Sequence, residues 1–241
     1  MTIYVCKTKD VVQLSEQVYR VRLIPDDESL FDFQGGQYIL LQMPSGELVP
    51  LSIASSPEQK NFLELHLRLT HTPSLAEDMI NLFRLSETIK IEGAFGNCYL
   101  KESERDIVIV AGGTGFSPMK SLLESAFSKD NSRQFDLFLG AQNVEGLYQN
   151  DLIKGWQKDH ENFRYTPVIS DEDSSWQGEI GFPHQVAIEQ LNNSLLDKEI
   201  FIAGSEPMVM AVYQSFLEEG VSKQQIHSDI LDIKRESGDV E

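Results

Sequence analysis

Two periods of hydrophobicity divide this chain. Up to about residue 100 the period is mostly two. Val18 to Ile24 alternates apolar and charged side chains, and Tyr38 to Met43 and Phe62 to Leu69 are similarly strand-like. Gly35-Gly36 and Pro44-Ser45-Gly46 supply turns between them. Six or so short strands at this spacing predict an antiparallel barrel or sandwich. One segment breaks the rhythm. Ser74 to Phe83 reads as a helix, with Ser74 at the N-cap and Glu77 completing a capping box.

After about residue 104 strands alternate with helices. The strands are Asp106 to Ala111, Phe135 to Leu139, Phe163 to Ile169 and Ile200 to Ala203, with a short final one at Ile226 to Leu231. The helices fall near 117–128, 146–158, 183–192 and 206–219. This pattern predicts a doubly wound, five-strand parallel sheet. The polar stretch Lys101 to Arg105 marks the joint. The expected organisation is a β-barrel domain over 1–102, an α/β domain over 103–233 and a disordered tail over 234–241.

The buried run Ile107 to Ala111 ends in Gly112-Gly113-Thr114-Gly115, and a helical pattern follows at once. Such a turn lets backbone N–H groups approach a phosphate, and the helix dipole favours negative charge there. It is neither the G-x-G-x-x-G fingerprint nor a P-loop, since the lysine is missing. A tight connection in an α/β domain is the lesser alternative.

Composition narrows the function. The 241 residues carry a formal net charge of −18, a surface that repels nucleic acid and anionic lipid. An anionic ligand must therefore find locally arranged donors. Cys6 and Cys98 are the two cysteines and form no C-x-x-C, which argues against zinc ribbons, cysteine-ligated clusters and a disulfide framework. No metal site is expected. No secretory signal is visible, and no apolar run nears the roughly 18 residues of a membrane span. The expected location is cytoplasmic.

Four segments, in order along the chain, resemble the ferredoxin–NADP reductase-like superfamily. Val49-Pro50-Leu51-Ser52 stands where that family carries Arg-x-Tyr/Phe-Ser/Thr. Gly93-Ala94-Phe95-Gly96-Asn97 resembles its barrel-closing Gly-Pro-x-Gly turn. Gly112 to Gly115 matches its nicotinamide-nucleotide turn. Ala203-Gly204-Ser205-Glu206-Pro207-Met208 resembles its Cys-Gly-Pro-x-Pro-Met segment. Within the superfamily, Val18-Tyr19-Arg20-Val21-Arg22, Phe33 to Tyr38, Leu63 to His66 and Trp176-Gln177-Gly178 look like bacterial NAD(P)H:flavin oxidoreductases, including the luminescence-associated ones.

The resemblance implies a flavin reductase that uses NADH or NADPH and takes riboflavin, FMN or FAD as substrate or weakly bound group. Hydride transfer from nicotinamide C4 to flavin N5 requires the two rings to stack. Ser52 is the implied catalytic residue, orienting N5. Pro50, Leu51, His66, Leu67 and Ser74 are implied on the flavin side. For His66, lining the flavin cleft and packing in the core are both open. For Ser74, a phosphate turn and an ordinary cap are both open. On the nucleotide side stand Gly112, Gly113, Thr114, Gly115, Ser117, Pro118, Gln142, Gly204, Ser205, Glu206, Pro207 and Met208. Ser117 serves equally as a helix N-cap, and Glu206 fits a helix start better than a nicotinamide contact.

The chain departs from the family pattern in places. Val49 stands at the arginine position, so a cation for flavin phosphate is missing. Leu51 replaces an aromatic ring, and His71 replaces the glycine of the Gly-x-x-Ser turn. These departures imply weak flavin retention. Ala203 replaces a cysteine near the nicotinamide. Gln142 stands where relatives often carry arginine, which favours NADH over NADPH. Reduced flavin would pass to a flavin-dependent oxygenase or a ferric complex. Two alternatives remain at this point: a flavin-bound electron-transfer reductase serving a protein partner, and a non-enzymatic domain that has lost flavin binding.

Overall fold

The computed structural model describes residues 2–26, 31–69 and 75–238, apart from the side chain of Asn193. The chain forms two compact units. The first comprises Met1–Leu100 and Ser117–Lys129, and the second Lys101–Phe116 and Asp130–Glu241.

The first unit holds strands β1 (Ile3–Gln13), β2 (Val18–Pro25), β3 (Tyr38–Gln42), β4 (Leu48–Ser52), β5 (Leu63–Arg68) and β6 (Ile89–Phe95) and helix α1 (Leu75–Leu85). All pairings are antiparallel, in the order β4-β3-β6-β1-β2-β5. The sheet curls until the chain leaving β4 meets β5 at the Ile53–Leu65 bridge, as the period-two pattern predicts for a barrel. Its core comprises Val21, Leu23, Ile39, Leu41, Leu65, Ile91 and, from α1, Phe83. Ser74 and the rest of 70–74 lie outside the described residues, and with them the capping box and the phosphate-turn reading.

The second unit is a parallel sheet of β7 (Ile107–Gly112), β8 (Phe135–Ala141), β9 (Phe163–Ile169), β10 (Glu179–Ile180), β11 (Glu199–Ala203) and β12 (Ile226–His227), ordered β10-β9-β8-β7-β11-β12. Helices α3 (Asn150–Asp159), α4 (Pro183–Leu191) and α5 (Glu206–Glu218) pack on it. Val108 and Val110 face a core shared with α4 and α5. Alternation turns Ile107 and Ile109 to the opposite face.

Three expectations are corrected. The sheet has six strands rather than five, because the two-residue β10 pairs with the end of β9. The final strand stops at His227, and Asp229 opens a helix, α6 (Asp229–Ser237), so 234–237 are helical rather than a disordered tail. Residues 239–241 lie outside the described residues. The linear boundary near 102 is also crossed, since most of α2 (Phe116–Ser128) belongs with the first unit.

Candidate functional site

In the second unit, parallel pairing sets the C-terminal ends of β7, β8 and β11 side by side. This edge, beside the point where the strand order reverses, is where open α/β sheets bind ligands. Gly112 to Gly115, Gly140 to Gln142 and Ala203 to Met208 all lie along it. Gly113 has φ +53°, a left-handed conformation natural to glycine. A Cβ on Gly115 would stand 2.3 Å from the Ala203 carbonyl oxygen and 2.6 Å from the Gly204 nitrogen. The two turns therefore pack backbone to backbone, and only glycine fits. At Gly112 and Gly204 a Cβ would meet the Met208 thioether, at 2.3 and 2.7 Å. Those two glycines thus have a packing reason of their own. All four residues of the turn, Gly112 to Gly115, are half-buried.

Ser205 precedes α5, and Glu206 opens it with an ion pair to Lys234 of α6 at 2.6 Å. The helix-start role of Glu206 accounts for this placement. Pro207 is exposed in the first turn. Ser117 lies inside α2 rather than at its cap, since the helix begins at Phe116. Its Oγ is buried with no hydrogen-bond partner among the described residues, and Pro118 beside it is buried too.

Gln142 is exposed beyond β8, and its carbonyl accepts a hydrogen bond from the Asp171 amide at 2.8 Å. That contact brings the exposed acids Asp171 and Glu172 beside it. Arg164 lies across from Asp136 toward the opposite ends of β8 and β9, and Lys120 is itself paired with Glu64 and Glu124.

In the first unit, register sorts the flavin-side candidates by face. Ile39 and Leu41 pair with Leu51 and Val49 and face the core, whereas Tyr38 and Leu40 pair with Ser52 and Pro50 on the outer face. Val49 is therefore a core residue, 8% exposed. Val49→Arg would thrust a guanidinium toward Leu41, and a marked fall in the thermal midpoint is expected rather than simple tightening of flavin phosphate. A melting curve taken beside an FMN titration checks this. A full-stability variant that binds FMN better would show that the arginine reaches out of the core.

His66 and Leu67, expected beside the flavin, have buried side chains: His66 contacts Glu64 at 3.1 Å, and Leu67 packs in the barrel core. Neither side chain reaches the surface to meet a ligand. The residue missed by sequence reading is Tyr38. It lies directly across from Ser52, and its ring meets that of Phe95, its neighbour on β6, with centroids 5.9 Å apart. Both rings are half-buried and supply the aromatic surface that Leu51 lacks. Strand register alone reveals this.

The oxidoreductase NAD-binding domain family matches residues 109–214. The NAD(P)H-flavin reductase of Vibrio harveyi is 31% identical over 226 residues, covering 91% of this chain and 94% of that protein. The chain belongs to the ferredoxin–NADP reductase-like family. A second member, the CDP-6-deoxy-L-threo-D-glycero-4-hexulose-3-dehydrase reductase of Yersinia pestis, is 30% identical over 226 residues, 94% of this chain and 68% of that one. Among solved structures of this fold, the cytochrome P450 reductase of Amycolatopsis superposes with a TM-score of 0.85 at 24% identity, over 95% of this chain and 69% of that one. No helix among the described residues is long and apolar enough to cross a membrane.

Proposed function

We propose that this chain is an NAD(P)H:flavin oxidoreductase: NAD(P)H + flavin + H⁺ → NAD(P)⁺ + reduced flavin. The observation that carries this reading is the match, through both units, to a flavin reductase over nearly the whole of each chain. The residues fit both ligands. The glycine turn and Gly204-Ser205 offer backbone that a dinucleotide can approach closely, and Ser52 with Tyr38 and Phe95 offers a hydroxyl beside an aromatic surface. The flavin accepts hydride at N5 from nicotinamide C4. Ser52 orients that acceptor by hydrogen bonding, Tyr38 and Phe95 hold the ring face, and Gly112 to Gly115 with Gly204-Ser205 hold the nicotinamide nucleotide. No side chain need transfer a proton in the hydride step. Reduced flavin then serves an oxygenase or a ferric complex.

Flavin is expected to leave the protein on gel filtration, with dissociation constants in the micromolar range or weaker. Val49 turns into the core and supplies no cation to a flavin phosphate, and a hydrogen bond to a charged group contributes roughly 1.5–3 kcal/mol, or ~10- to 150-fold in affinity. A stoichiometric flavin spectrum after filtration would contradict this. It would instead favour a second reading, a flavin-bound reductase passing electrons to a protein partner.

NADH is expected to be preferred over NADPH several-fold or more in kcat/KM. Gln142 offers no cation, and the Asp171 carboxylate and the net charge of −18 oppose a 2′-phosphate. Steady-state kinetics with both nucleotides checks this, and Gln142→Arg is expected to raise NADPH use selectively. Equal use of the two at physiological salt would sink it.

A further inference from the structure

The first unit buries a cluster of charges that hydride transfer does not use. Glu64 is 4%, His66 6% and Lys120 7% exposed. The Lys120 ammonium reaches Glu124 Oε1 at 2.9 Å, Glu64 Oε1 at 3.3 Å and the Ala54 carbonyl at 3.2 Å. An ammonium has three N–H donors, and three acceptors surround this one. The second Glu64 oxygen accepts from Arg22 Nε at 2.9 Å.

This cluster touches the chain immediately after Ser52. The Ile53 amide donates to the Gln37 carbonyl at 3.0 Å and the Ala54 amide to the Glu64 carbonyl at 2.7 Å. The Glu64 amide in turn donates to Ser55 Oγ at 3.0 Å. From the other side, helix α2 adds Lys120 on Ala54 and Ser121 Oγ on the Ser55 carbonyl at 2.6 Å. The segment is thus gripped between β5 and α2 by directional bonds. Well-packed apolar residues in place of a buried ion cluster are often neutral or stabilising. They would not, however, fix a carbonyl in one direction.

We propose that Lys120 is a positioning residue for flavin reduction: through the Ala54 carbonyl and Glu64 it fixes the Ser52–Ser56 segment, and so the direction of the Ser52 hydroxyl. The inference rests on the functional reading above for the role of Ser52. It leads to a separable structural claim, that α2 side chains restrain this segment in the ligand-free protein.

The test joins hydrogen exchange with kinetics on the full-length chain. Lys120→Met is expected to speed amide exchange at residues 53–56 by about fivefold or more, whereas Lys120→Arg, which keeps the charge and donors, leaves it near the unsubstituted rate. Should Lys120→Met fail to fold, Ser121→Ala, a helix-compatible loss of one hydroxyl, is expected to act in the same direction. In NADH oxidation with FMN, Lys120→Met is expected to lower kcat roughly tenfold with little change in KM for NADH, and to have under about twofold effect when Ser52 is already alanine. Unchanged exchange at 53–56 in both Lys120→Met and Ser121→Ala overturns the proposal whatever the activity. An equal kcat loss with and without Ser52 overturns it too, since a general structural role would act that way. Absence of flavin-dependent NADH oxidation by the unsubstituted protein would overturn the functional reading, and the exchange result would still decide whether Lys120 restrains the segment.

Discussion

Gly115→Ala is expected to reduce kcat/KM for NADH by roughly 100-fold, because a displacement of about 1 Å in a positioning element costs that much. The new Cβ would lie 2.3 Å from the Ala203 oxygen, 2.5 Å from its carbonyl carbon and 2.6 Å from the Gly204 nitrogen. All three are backbone atoms at the end of a central strand, so no side chain can swing aside. The two turns must part, and Gly112 to Gly115 then no longer faces Gly204 to Met208 at the spacing a nucleotide needs. Gly112→Ala is the graded control. Its Cβ meets Met208 Sδ at 2.3 Å, and a flexible thioether can move, so a milder loss is expected. Flavin affinity, measured by fluorescence titration, is expected to survive both changes, since the residues proposed for flavin, Ser52, Tyr38 and Phe95, belong to the other unit. Undiminished NADH oxidation in a folded Gly115→Ala protein would remove this turn from the nucleotide site.

Glu64→Gln is expected to destabilise the protein by about 3 kcal/mol, because it removes the buried carboxylate shared by Lys120 and Arg22 and leaves Lys120 with Glu124 as its carboxylate partner. For a chain of this size that is a fall in thermal midpoint of roughly 6–12 °C. Burial alone would raise the Glu64 carboxyl. The hydrogen bond from His66, the charges of Lys120 and His66 and the bond from Arg22 outweigh burial and hold it well below the ordinary carboxylate range. Burial pushes His66 below its ordinary 6.5, and its bond to Glu64 only partly restores it. Both groups bind protons more readily in the unfolded chain, so each contributes stability that is lost on acidification. For His66 the loss begins as pH falls through 6.5, the value of the unfolded chain. For Glu64 it begins near 4.5 and continues down to its low folded value. Glu124, raised by burial, works in the opposite sense and loses its contribution as pH rises above the ordinary carboxylate range. Melting curves at pH 7, 6 and 5 are expected to show a declining midpoint, with His66→Gln flattening the upper part of that decline. A Glu64→Gln protein as stable as the parent would mean that Glu124, not Glu64, balances the Lys120 charge.

The parts of the fold legible in the sequence were those with an unambiguous local signal. Phe163–Ile169 is a strand at the residues its pattern implies, and the uninterrupted run Ile107 to Ala111 reads as a strand buried on both faces. The C-terminal end misled because Ile226, Ile230 and Leu231 resemble a strand, while Ser228-Asp229 before them is a helix start. The periodicity starts α3 near 146, but Asn143 caps a short 3-10 turn, its side chain accepting from the Gly146 amide, and the helix begins only at Asn150. The turn after β7 was legible because glycines cluster where strand becomes helix. The flavin side was harder. Which face Val49, Leu51 and Ser52 present depends on their pairing with β3, and Tyr38 joins Ser52 only through that register. The Lys120–Glu64 pair joins residues more than fifty positions apart, and no periodicity records such a contact.

The most direct measurement is oxidation of NADH by the purified chain with riboflavin, FMN and FAD added in turn, set against the same mixture lacking flavin. Turnover that saturates with added flavin, is lost in Gly115→Ala and falls in Ser52→Ala is the expected result. NADH oxidation no faster with any of the three flavins than without them would contradict the assignment of this chain as a flavin reductase.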